Sequence, residues 1–216
     1  MRVLVPLPDR DFDVTEVAVP WRLLREAGHQ VTFATEQGGT IPAADPRLLD
    51  GVIFGQLAAA PEARAFYSEL TGAAEFGSTV VWARLDPAAF DGLLLPGGHA
   101  PGMRQYLGSP SLREQVARFW ALGRPVGAIC HGVLVLARTR DPATGRSVLS
   151  SRRTTCLPRY MERSAYLLTA RGTATDDTAA FSVTDRNYLS ARWPGDAYLF
   201  GRRFCELLQP AAQADR

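Results

Sequence analysis

Pro125-Val126-Gly127-Ala128-Ile129-Cys130-His131-Gly132-Val133-Leu134 is the stretch that decides the reading of this chain. Pro125–Ile129 is a short apolar run without alternation, the pattern of a strand buried on both faces. From His131 to about Arg138 the residues favour a helix, and Cys130 stands at the junction. Small residues lie two before it (Ala128) and two after it (Gly132). This is the layout of the G-x-S-x-G nucleophile elbow with Cys in place of Ser. A turn that sharp strains the nucleophile's backbone and presents its side chain at the carboxyl end of the sheet, where open α/β sheets bind ligands. The helix that follows offers free N–H groups and positive dipole character to the sulfur. Cys130 is therefore expected to be a reactive thiol, ionised at neutral pH and open to solvent.

Working backward, Asp91–Pro96 reads as a second buried strand ending in Gly97-Gly98-His99. A glycine pair lets the backbone turn its N–H groups toward a ligand. The Gly98 and His131 N–H groups are the expected oxyanion hole, with His99 at the pocket rim. Earlier still, Val3–Val5 reads as a first strand. Asp13 or Thr15 caps a helix running to about Ala27, with a kink or late start at Pro20. Gln30–Ala34 is a further strand. Between Gly38 and Arg84 the pattern gives a helix at Pro61–Leu70 and a strand at Val80–Trp82; this stretch is expected to shape the pocket. Ser109 or Ser111 caps a helix reaching Leu122. Toward the C-terminus the expectations are a helix at Arg159–Leu168, strands at Phe181–Thr184 and Tyr188–Ala191, and a helix from Pro194 or Gly195 to Leu208. Strands alternating with helices imply a single-domain, three-layer α/β sandwich with a mostly parallel sheet over residues 1–209. Residues 210–216 read as a disordered tail.

Composition excludes several functions. The 216 residues carry a net charge of only +2, and Arg152-Arg153 and Arg202-Arg203 read as solvated pairs, so no nucleic-acid partner is expected. The chain contains no lysine, which rules out Schiff-base, pyridoxal-phosphate and P-loop lysine chemistry. No apolar run is long enough to span a bilayer, and the N-terminus lacks a signal-peptide pattern. Three scattered cysteines, Cys130, Cys156 and Cys205, form no disulfide framework and fit a reducing cytoplasm. Cys156 and Cys205 read as core or partly buried thiols, and His29 as an exposed turn residue. The three histidines lack ligand spacing, so no metal site is expected.

With these motifs in place, the sequence resembles the DJ-1/PfpI superfamily, a branch of the class I glutamine amidotransferase-like fold, from Val3 to Leu208. The resemblance rests on Asp91–His99, on Gly127–Gly132, on Glu16 early in the first helix, and on Ser190–Asp196. It implies a flavodoxin-like arrangement, a homodimer, and a glutamate, here Glu16, in contact with the nucleophilic Cys130. Such a glutamate should be protonated beside a thiolate and can move protons. It also implies a Cys-His-acid arrangement through His131, for which Glu162 is the candidate acid and Asp185 and Asp196 are weaker ones. The sequence departs from the amidotransferases in having no histidine after His131, so their late H-x-E pair is missing and glutamine hydrolysis is disfavoured.

Three functions remain open at this point. The first is a cofactor-independent, glyoxalase III-like conversion of small α-oxoaldehydes to hydroxy acids. The second is amide or nitrile-type hydrolysis by the same cysteine. The third is a non-enzymatic oxidation sensor or stress-related chaperone.

Overall fold

In a computed structural model describing residues 1–51, 58–157 and 179–209, the chain opens with β1 (Arg2–Pro6), buried along Val3, Leu4 and Val5. A short β2 (Arg10–Phe12) follows. Asp13 then caps α1 (Val14–Glu26) by accepting the N–H groups of Thr15 and Glu16 at 2.8 and 3.1 Å, which satisfies two of the donors a helix start leaves unpaired. Of the two caps open in the sequence, the structure uses Asp13. The helix starts at Val14 and carries Pro20 inside it, so no late start occurs.

After β3 (Gln30–Thr35) come β4 (Ala43–Ala44), α2 (Pro46–Asp50), α3 (Pro61–Thr71), α4 (Ala74–Gly77) and the two-residue β5 (Val80–Val81). Trp82 leaves the expected strand to begin a 3₁₀ turn, and its indole N–H donates to the Ala34 carbonyl at 3.0 Å. Phe76 is buried among Phe12, Phe33 and Tyr67 in edge-to-face contacts, so it belongs to the core. The buried β6 (Gly92–Leu95) is followed by α5 (Met103–Gly108), and Ser109 caps α6 (Pro110–Ala121). Then come β7 (Val126–Ile129), α7 (Gly132–Arg138), the hairpin β8 (Ser182–Asp185) and β9 (Tyr188–Ala191), and α8 (Ala197–Leu208) after a 3₁₀ turn at Pro194–Asp196.

The sheet runs β5-β3-β1-β6-β7-β9-β8, parallel except for the β8–β9 pair, and β2 pairs with β4 separately. The mostly parallel, helix-flanked sheet matches the expected flavodoxin-like α/β class. β6 and β7, the strands that carry the glycine turn and the elbow, are neighbours at its centre. Their carboxyl ends therefore open side by side.

On one face α8 buries Phe200, Phe204 and Leu208; each such side chain contributes about 1.5–3 kcal/mol. The sheet beneath accepts these residues because it is bare there. A β-carbon on Gly127 would lie 2.9 Å from both the Phe200 and Phe204 rings, and one on Gly92 would lie 2.5 Å from Leu208.

The β9–α8 link is closed by Asp196, fully buried, whose carboxylate accepts the Arg192 guanidinium at 2.9 Å on each oxygen and the Phe181 N–H at 2.8 Å. The expectation of solvated arginines fails at Arg152. Its guanidinium lies over the Trp120 ring at 5.0 Å and bonds the Asp185 carbonyl and Asn187. Cys156 is exposed, contrary to expectation, while Cys205 is partly buried. His29 is half-buried in its turn and not fully exposed. The expected helix at Arg159–Leu168 and tail at 210–216 lie outside the described residues. No helix among the described residues is long and apolar enough to cross a membrane.

Candidate active site

At the end of β7, Cys130 adopts φ 54°, a left-handed conformation that costs a residue with a β-carbon about 1–2 kcal/mol. Its neighbours hold it there. The Cys130 N–H donates to Ala191 of β9 at 3.1 Å, and the Cys130 carbonyl accepts from Val133 at 3.3 Å. The need for a small residue two places later is steric. A β-carbon on Gly132 would fall 2.1 Å from the Leu95 carbonyl oxygen.

Glu16 comes to the same place from α1. It is fully buried, and its Oε2 accepts the Gly97 N–H at 2.8 Å. The Gly97 carbonyl in turn accepts the Asp13 N–H at 3.0 Å. The start of α1 and the turn after β6 are thus clipped together on both sides of Gly97. A side chain on Gly97 would strike His131 N at 2.7 Å and Glu16 Oε2 at 2.9 Å. The second glycine, Gly98, packs instead against Asp11 and Asp13 backbone atoms.

The remaining Glu16 oxygen, Oε1, is buried without a well-formed hydrogen bond, with the Cys130 thiol within reach of the carboxyl. Burial, then the charge of Asp13, pushes the Glu16 carboxyl well above the carboxylate range. Both effects favour the protonated form of Glu16. Asp13 is also pushed up, to about 6, chiefly by burial.

Cys130 departs from expectation. It is only 1% exposed. Burial, then the charge of Glu16, raises its thiol well above the ordinary value, against the lowering effect of the His131 N–H. The expected opening to solvent is corrected to a buried sulfur, and desolvation works against its ionisation in spite of the helix start that follows.

The His131 ring places Nδ1 3.6 Å from the sulfur. In the tautomer protonated at Nε2, it can accept the thiol proton. His99 meets His131 edge to face, with ring centroids 4.5 Å apart. Exposure rises from buried Cys130 through half-buried His131 to exposed His99, so the imidazoles form the lip of the site.

The convergence also corrects the expectation that the histidines offer no ligand set. One donor atom each from His99, Cys130 and His131 lies within 4.8 Å of the others. Spacing along the chain does not reveal this, because β6 and β7 bring the two turns together in space.

Of the candidate acids, Asp196 is bonded to Arg192 and Phe181. Asp185 sits in the β8–β9 hairpin, accepting the Arg153 N–H. Glu162 lies outside the described residues. Tyr106 was not foreseen. It is buried, its hydroxyl has no hydrogen-bond partner among the described residues, and burial, then the Glu16 charge, raises its pKa. An aromatic at helical spacing reads as core, and nothing in the sequence marks it otherwise.

The chain is 30% identical over 213 residues to a deglycase of Pyrococcus abyssi, covering 97% of this chain and 100% of that protein. It is 30% identical over 175 residues to an uncharacterized protein of Schizosaccharomyces pombe, covering 79% of this chain and spanning only 64% of that protein's length. A crystal structure of glyoxalase III from Candida albicans superposes with a TM-score of 0.73 at 18% identity, covering 97% of this chain and 98% of that one, a likeness of fold. The family model described as ThiJ/PfpI family-like matches residues 7–198, and the chain belongs to that family, within the DJ-1/PfpI superfamily.

Proposed function

We propose that this protein is a cofactor-independent cysteine enzyme acting on small α-oxoaldehydes or their adducts, in the manner named for its deglycase and glyoxalase III relatives. The observation that carries the reading is the buried pair of Cys130 and Glu16, with His131 Nδ1 3.6 Å from the sulfur. A protonated carboxyl beside a thiol suits proton traffic on a carbonyl adduct better than ionic binding.

With methylglyoxal, Sγ adds to the aldehyde carbon and the thiol proton passes to His131. Glu16 donates its proton to the neighbouring ketone oxygen, and the carboxylate so formed takes the C–H proton from the hemithioacetal carbon. Returning that proton to the adjacent carbon leaves a lactoyl thioester. Water hydrolyses it to lactic acid and free thiol, and the proton held on His131 returns to Glu16, so one methylglyoxal and one water give one lactic acid with no outside oxidant and the site restored. The Gly98 and His131 N–H groups are assigned to the oxyanion.

The assay is purified protein with methylglyoxal and no glutathione. Lactate is expected; a yield no greater than that of a Cys130→Ala control overturns the reading. Amide hydrolysis by the same cysteine stays the alternative: it would need an acid orienting His131, and of the candidates Asp185 and Asp196 are bonded elsewhere while Glu162 lies outside the described residues. The sensor reading needs an accessible, low-pKa thiol, which burial of Cys130 disfavours. A homodimer and a cytoplasmic location belong to the same proposal. Light scattering on the eluting protein tests the first, and a monomer rejects it.

A further inference from the structure

We propose that His99, Cys130 and His131 form a binding site for a borderline-soft divalent cation, zinc by its chemistry, that reversibly caps the nucleophile. The argument is geometric. One donor atom from each residue lies within 4.8 Å of the other two, and the sulfur is 3.6 Å from His131 Nδ1. Around tetrahedral zinc, with Zn–S about 2.3 Å and Zn–N about 2.0–2.1 Å, neighbouring ligand atoms stand roughly 3.3–3.7 Å apart. The Cys130–His131 pair already has such an edge. Closing the gap to His99 takes a shift of up to about 1.5 Å on that scale, at a residue exposed in the turn after β6.

The donor set is selective. One thiolate and two imidazoles suit zinc, cobalt or copper and not magnesium or calcium, which take oxygen ligands. Three protein ligands leave the fourth position to water or a small anion, as in open zinc sites.

The backbone that sets the ligands is rigid for reasons already given. Gly132 lies under the Leu95 carbonyl, Gly97 lies against His131 N, and the Cys130 N–H is bonded to Ala191. Binding replaces the S–H bond by a Zn–S bond and releases one proton to solvent; the histidines bind as neutral rings, and nothing is oxidised or reduced. A sulfur held this way cannot add to a carbonyl carbon. The site stands whether or not Cys130 turns over an oxoaldehyde, so its test makes no use of turnover.

The test uses reduced, metal-stripped full-length protein titrated with cobalt chloride and zinc chloride. One cobalt per chain is expected, with the visible bands of tetrahedral coordination and a near-ultraviolet thiolate-to-cobalt band; equimolar zinc bleaches both. Cys130→Ser should lose the thiolate band, and His99→Ala, at an exposed position, should weaken binding at least tenfold. Peptide mapping after iodoacetamide should show zinc slowing alkylation of Cys130 at least tenfold while exposed Cys156 reacts unchanged. No thiolate band in the wild type overturns the proposal. So does a band that survives in Cys130→Ser or disappears in Cys156→Ser, or wild-type affinity in His99→Ala.

Discussion

Three described residues other than glycine have positive φ, Asp11, Cys130 and Arg186, and the last two hold it in different ways. Cys130 has φ 54° and Arg186 has φ 58°. Arg186 lies in the link between β8 and β9, with its side chain exposed and reaching Asp185 and the Ser151 carbonyl. It is a turn residue whose geometry is set locally by a short hairpin. Cys130 is buried, and its geometry is set from three directions: by β9 through Ala191, by β6 through the Leu95 carbonyl over Gly132, and by α7 through Val133. A left-handed residue marks a reactive site when distant segments impose it, and only a tight turn when its own neighbours do.

The largest expected effect separates the two in function. Cys130→Ala should lower oxoaldehyde turnover at least ~1,000-fold, about 4 kcal/mol of barrier, with circular dichroism unchanged. A comparable loss in Arg186→Ala would erase the distinction.

Next in size is the packing that enforces the elbow. Gly132→Ala places a β-carbon 2.1 Å from a backbone oxygen and should cost about 3 kcal/mol or more, a fall in Tm of roughly 6–12 °C. Gly145→Ala, at a left-handed glycine (φ 67°) with no atom within 4 Å of the added carbon, should cost only about 1 kcal/mol. Equal losses would mean that strain and not collision governs the elbow.

The two regions should also respond to pH with opposite sign. Burial pushes the Asp13 carboxyl, beside the elbow, up to about 6 from its ordinary 3.8. The folded state therefore binds the extra proton, and its stability should rise as pH falls from 7.5 to 5, the gain being complete below the unfolded value. Burial raises Glu16 in the same direction. Asp185, in the hairpin, is lowered, first by the Arg153 N–H; its support is present above the unfolded value and fades as pH falls through the folded one. Melting curves at pH 7.5 and 5 should show Tm rising in the wild type and rising less in Asp13→Asn, which keeps a capping oxygen. An identical rise in both proteins would show that Asp13 stays ionised in the fold.

The smallest effect concerns strain itself. Cys130→Gly should be more stable than Cys130→Ala by about 1 kcal/mol, because glycine accepts the left-handed region freely. Arg186→Gly should lie within about 0.5 kcal/mol of the wild type, the relief offset by its lost contacts. A larger gain at Arg186 would reverse the ranking of strain.

Much of this fold was legible along the chain, because buried strands next to glycine turns announce themselves in a few residues. β6, β7 and α7 follow from local chemistry, as does a serine cap at 109 or 111, of which the structure uses Ser109. Glu16 came from the resemblance and not from pattern, since an acid in a first helical turn is an ordinary sight. What stayed hidden depends on distance in space. The state of the Cys130 thiol reflects desolvation by segments far apart in sequence. Gly97 matters because of the side chains it lets approach. His99 and His131 face each other only because two strands are adjacent. The small β2–β4 pair is too short for periodicity to register.

The bond from Cys130 to Ala191 also orders events in time. A ribosome makes β7 well before β9, so the nascent elbow lacks the acceptor that fixes its nucleophile. α8, which covers Gly92 and Gly127, emerges later still. Until then the growing chain carries its sulfur on an unfinished sheet, and the geometry of the elbow is assembled only once β9 and α8 have been made.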